Sequence, residues 1–90
     1  MSWWRRSPRA VRVAADPDAA LLSSAAALRR LGARITRYDT EAGTLEARVA
    51  TAATLRVRTS PSEDGVTEVY LEGDGAARRV IRKFRAALGA

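Results

Sequence analysis

Tyr38 and Tyr70 alternate with arginines and glutamates in stretches that read as strands, and Arg56 and Arg58 alternate in the same way. Rings and guanidinium groups on one bare sheet face are a means of holding single-stranded nucleic acid, with bases stacked on the rings and phosphates paired with Arg. Tyr38, Arg56, Arg58 and Tyr70 are therefore the candidate contacts of an open face that should also show Arg12, Arg34, Glu46, Arg48, Glu68 and Glu72. The same residues fit a solvated or self-associating face. If Arg58 lies opposite Glu68, then Arg56 faces Tyr70, Thr54 faces Glu72, and the face becomes a lattice of cross-strand ion pairs.

A second group of candidates is cationic. Arg5, Arg6, Arg9 and Arg12 have no acid among them, and Arg78, Arg79, Arg82, Lys83 and Arg85 fall within eight residues. Between residues 38 and 77 stand Arg48, Arg56 and Arg58 against eight acids. Such segregation would put a cationic patch at one end of the domain if the termini meet, with Arg5, Arg6, Arg78, Arg82 and Arg85 as candidate phosphate or partner contacts. The plainer alternative is a solvated helix face whose cations suit the negative end of the helix dipole. Trp3-Trp4-Arg5-Arg6 has the amphipathic character of a bilayer-interface segment. It is too short to anchor, and an aromatic pair of this kind more often packs over a core edge or a neighbouring subunit.

The absences are as informative. The chain has no Cys and no His, which removes disulfides, thiol nucleophiles, imidazole bases and Cys/His zinc sites. It has no Asn or Gln either, so adenine readout by a side-chain amide is unavailable and base contacts would fall to Arg. Gly73-Asp74-Gly75 before a helix has the look of an anion cradle, but an Asp at that position repels phosphate and suits a cap. Asp39, Glu41, Glu63 and Asp64 fall in separate turns without metal-loop spacing. No enzyme, cofactor or metal is expected. The 15 Arg against one Lys, the 19 Ala and the net charge of +6 fit a GC-rich bacterial genome, so codon usage competes with selection for an anionic partner as their source.

The elements that must position these residues follow from apolar periodicity. Residues 1–9 read as a basic irregular arm, and residues 10–90 as a single domain. Val11 and Val13 alternate with Arg12 in a strand over 10–14. Asp16-Pro17-Asp18 starts a helix with Leu21, Ala25, Leu28 and Leu31 on one face, Leu22 beside it, and Gly32 as terminator. Strands follow over 34–39 and 44–49, joined by a turn at 39–43. Two more span 54–59 and 66–72, separated by a polar loop at 60–65. A closing helix capped by Asp74 places Val80, Ile81, Phe84 and Leu88 on one face and the cations on the other.

The fold class is therefore α+β, in the order β-α-β-β-β-β-α. It is a five-stranded antiparallel meander sheet, order 1-5-4-3-2 across the sheet, with two helices on one face and the other face open. This element order, with the helix ending Leu31-Gly32 and Asp39 preceding Gly43-Thr44-Leu45, resembles the TATA-binding-protein-like arrangement. It is also similar to the repeats of the outer-membrane assembly lipoprotein BamC. The resemblance covers residues 10–89 and implies a fold, without a functional motif: the intercalating Phe pairs of the TATA-box reader have no counterpart here. With no apolar run of signal-peptide or membrane-span length, a cytoplasmic location is expected. The function expected is non-enzymatic protein binding or assembly, as a homo-oligomer or with another protein, because a small Ala-rich core gains from association. The alternatives are a nucleic-acid-binding accessory protein using the cationic termini, and, less favoured, association with a membrane surface through residues 3–6.

Overall fold

A computed structural model describes residues 10–49, 53–73 and 78–89, with the side chain of Arg78 left out. The arm at residues 1–9, with Arg5, Arg6 and the Trp pair, lies outside the described residues, as does the expected cap Asp74.

Strand β1 (Val11–Val13) leads into helix α1 (Pro17–Arg30). The Asp16 carboxylate accepts from the Ala19 N–H at 2.9 Å, Pro17 opens the helix where its missing N–H costs no bond, and Asp18 lies at the positive end of the dipole. The far end closes on Gly32, whose φ of +88° is open to glycine and strained for other residues. Its N–H donates to Arg29 O at 3.0 Å and that of Ala33 to Leu28 O at 2.9 Å, the paired bonds of a Schellman motif.

Strands β2 (Arg34–Asp39), β3 (Thr44–Val49), β4 (Ala53–Glu63) and β5 (Val66–Gly73) precede helix α2 (Arg78–Gly89). All pairings are antiparallel, and the strands stand in the order β1-β5-β4-β3-β2, as the periodicity predicts. Leu45, Ala47, Leu55, Val57, Val69 and Leu71 alternate to one face and are buried there under the helices. Above them α1 spreads over β2 to β5, and α2 lies beside it over β1 and β5. Phe84 is the largest fully buried side chain, and Ile81 is buried with it. Burying each such side chain contributes about 1.5 to 3 kcal/mol, so a few large residues carry this Ala-rich core.

Two buried hydroxyls find partners in the backbone. Ser24 Oγ donates to Ala20 O at 2.8 Å within α1, and Thr67 Oγ1 donates to Ala15 O at 2.7 Å, tying β5 to the segment after β1.

The structure departs from the sequence reading in three places. The segment 60–65 is not a loop: β4 runs on to Glu63, and Asp64-Gly65 alone makes the turn, with Gly65 at φ +72°. Pro61 is tolerated because β3 pairs with β4 only as far as Arg58, so the extension is an edge there. Shortening the loop also moves the register. Arg58 lies opposite Tyr70 and Arg56 opposite Glu72, while Ser60 takes the position facing Glu68. The third departure is a bulge in β2 between Ile35 and Arg37, where Thr36 is inserted and its hydroxyl donates to Glu46 O at 3.2 Å.

Candidate functional surfaces

The face of the sheet away from the helices is polar apart from Val66, and its acids are largely taken up by neighbouring groups. Arg12 of β1 reaches Glu63 Oε2 at 2.8 Å, Glu68 Oε2 at 3.4 Å and Ser62 Oγ at 3.4 Å, so one guanidinium links β1 to both strands of the β4–β5 hairpin. The bulge at Pro61–Glu63 makes this reach possible by turning Glu63 toward Arg12. Glu68 also accepts from the Tyr70 hydroxyl at 2.7 Å. That bond, then burial and the Glu68 charge, push the Tyr70 phenol above its ordinary value, and the Arg58 charge works against them. Arg58 lies over the Tyr70 ring, 4.6 Å from its centre. Arg56 is shared between Glu46 at 3.4 Å and Glu72 at 4.0 Å.

The structure thus brings together three of the four open-face candidates: Arg56, Arg58 and Tyr70. Tyr38 is a correction. The register sets it opposite Leu45, on the helix side of the sheet, where it remains 39% exposed. The Thr36 bulge causes this, because one inserted residue reverses the facing of every residue beyond it. Arg37 takes the open-face position opposite Glu46 instead. Only a β-bulge signal would have revealed the exchange, and Arg34-Ile35-Thr36-Arg37-Tyr38 offers no Gly to mark one.

On the helix side, α2 presents a second surface. Ile81 and Phe84 turn inward with Val80 and Leu88 partly buried, leaving Arg79, Arg82, Lys83 and Arg85 exposed. The helix contains no acid, and none of these four cations forms an ion pair among the described residues. Helix α2 packs against β1, the first described strand.

Comparison with protein-family models, curated proteins and solved structures returns no match to this chain. What the surfaces can do follows from their own chemistry. Among the described residues no three acids stand close enough to hold a metal ion, and no helix is long and apolar enough to cross a membrane. The sheet face offers ion-paired Arg12 and Arg56, a ring covered by Arg58, and Arg34, Arg37 and Arg48 without an ion pair among the described residues. The α2 face offers four guanidinium or ammonium groups to water, with no acid on the helix to compete for a polyanion.

Proposed function

We propose that this chain is a non-enzymatic accessory protein that binds the phosphate backbone of nucleic acid through the outer face of α2, with the basic arm at residues 1–9 extending the contact. The observation that carries this is the exposure of Arg79, Arg82, Lys83 and Arg85 on a helix without an acid. A row of cations in water attracts a polyanion by releasing its condensed counterions, and among the described residues no ion pair of these four must first be broken. Arg5 and Arg6 join the contact in this proposal because they precede β1 in sequence, and β1 packs against α2. Arg78 starts the same helix.

Base stacking has weaker support than backbone contact. Arg58 lies over Tyr70, and Tyr38 belongs to the other side of the sheet. With no Asn or Gln in the chain, binding is indifferent to sequence or biased only by Arg–guanine contacts. The likeness to the TATA-binding-protein-like arrangement and to the BamC repeats is one of element order and supplies no contact residue. The proposal places the protein in the cytoplasm, where its partner is.

Self-association is the second reading, favoured by the exposure of Leu22 at 62% and Tyr38 at 39%. Pairing through the sheet edges has little support, since β1 is three residues long and β2 carries a bulge, Arg34 and Arg37, all devices that blunt an edge. Titration of a fluorescent 20-base-pair duplex with the protein, run beside light scattering of the protein alone, separates the two. Saturable binding that disappears in an Arg82→Ala/Lys83→Ala/Arg85→Ala variant supports the nucleic-acid reading. A concentration-dependent dimer without duplex binding supports the other.

A further inference from the structure

The charge on the open sheet face is not evenly settled. Glu63 and Glu68 are engaged by Arg12, Glu46 and Glu72 by Arg56, and Asp39 Oδ1 accepts the Ala42 N–H at 3.0 Å in the β2–β3 turn. Arg58 lies on Tyr70. Three arginines are left over, and the fold gathers them at one corner. Arg34 and Arg48 lie directly opposite each other on β2 and β3, and Arg37 follows one step along, opposite Glu46. All three are exposed, and none forms an ion pair or side-chain hydrogen bond among the described residues.

The bulge makes this corner. Residues 34 and 37 of a regular strand face opposite ways, and inserting Thr36 brings Arg37 round to the side of Arg34. Like charges directly across a sheet destabilise it. An oxyanion seated between the two guanidinium groups converts that repulsion into paired, charge-assisted hydrogen bonds, and the planar donor fork of Arg matches phosphate oxygens. On the β4 side of Arg48 stands Thr54, a neutral hydroxyl, so no acid across the strand repels the anion there.

We infer that Arg34, Arg37 and Arg48 form a binding site for the phosphate group of a small ligand, either inorganic phosphate or a phosphate monoester. The site lies on the opposite face of the sheet from α2 and is independent of the nucleic-acid surface. Its loss leaves duplex binding unchanged, and failure of either proposal is distinguishable from failure of the other.

The test is a backbone-amide NMR titration of the intact chain with sodium phosphate, and in a second arm with phenyl phosphate, against sodium chloride at equal ionic strength. The expected result is a saturable shift confined to the amides around Arg34, Arg37 and Arg48. Binding should be about tenfold weaker in Arg48→Gln and unaltered in Arg82→Ala. Saturation by phosphate itself identifies the free anion as sufficient, and saturation by phenyl phosphate alone identifies an ester. Linear shifts matching those of chloride, or equal affinity in Arg48→Gln, would overturn the site.

Discussion

The guanidinium carbon of Arg58 sits 4.6 Å from the centre of the Tyr70 ring, and Tyr70 in turn donates its hydroxyl to Glu68. The pair lies directly across β4 and β5, so a ring that alternation alone marks as a stacking platform is instead a bridge within the sheet. A cation over a ring at an exposed site contributes about 0.5 to 1 kcal/mol, which is enough to favour this arrangement in the free protein.

Alkaline stability should report the same bridge. The folded state raises the Tyr70 phenol above its ordinary value, first through the hydrogen bond to Glu68, then through burial and the Glu68 charge. The folded protein therefore holds this proton more tightly than the unfolded chain does. Its contribution is fully present below the unfolded value near pH 10 and is lost as pH rises through the higher folded value. Urea midpoints measured from pH 8 to 11 should fall more steeply above pH 10 for the native chain than for Tyr70→Phe. Parallel curves would mean that Tyr70 is not held in this way.

Gly43 is the glycine whose replacement should matter most. It has a φ of +70°, its carbonyl accepts both the Thr59 N–H at 2.8 Å and the Thr59 hydroxyl at 2.9 Å, and an added Cβ would stand 2.6 Å from that hydroxyl. Left-handed backbone costs an alanine about 1 to 2 kcal/mol before any clash, so Gly43→Ala should destabilise by about 2 to 3 kcal/mol in denaturant unfolding. Adding Thr59→Ala removes the clash. The double variant should then be less destabilised than the sum of the single ones by more than about 0.5 kcal/mol.

Buried and exposed polar contacts should behave oppositely. Thr67→Val keeps the shape of a fully buried side chain but leaves Ala15 O without its 2.7 Å donor, at a cost of about 1 to 3 kcal/mol. Arg12→Ala removes ion pairs whose side chains are 53%, 66% and 30% exposed, and solvent-exposed pairs of this kind are worth about 0 to 1 kcal/mol. Thermal unfolding of the two variants should show the larger loss for Thr67→Val, even though Arg12 makes more contacts.

The sequence carries most of the fold because each element is marked twice, by apolar spacing and by a chemical boundary. Asp16-Pro17 and Gly32 bracket α1 independently of Leu21 and Leu28, and the alternation from Thr44 to Val49 places Leu45, Ala47 and Val49 inward. What it does not carry is register. Ser60-Pro61-Ser62 has turn composition, yet the β5 partner continues the ladder through it, and only the two-residue Asp64-Gly65 turn reverses the chain. The offset of two residues exchanges the partner of Arg58 from Glu68 to Tyr70. In β2 the single insertion at Thr36 exchanges Tyr38 for Arg37 on the open face. Surface assignments depend on register and bulges, which are settled by long-range pairing, and local composition leaves little trace of either.

Salt dependence of duplex binding tests the central proposal most directly. If Arg79, Arg82, Lys83 and Arg85 meet phosphates, the logarithm of the affinity should fall against the logarithm of salt with a slope of about −4, steeper if the arm joins. Replacing Arg82, Lys83 and Arg85 by Ala should flatten it by about 3. No affinity for the duplex at low salt, or a slope that the triple replacement leaves unchanged, would contradict the assignment of α2 as the nucleic-acid-binding face.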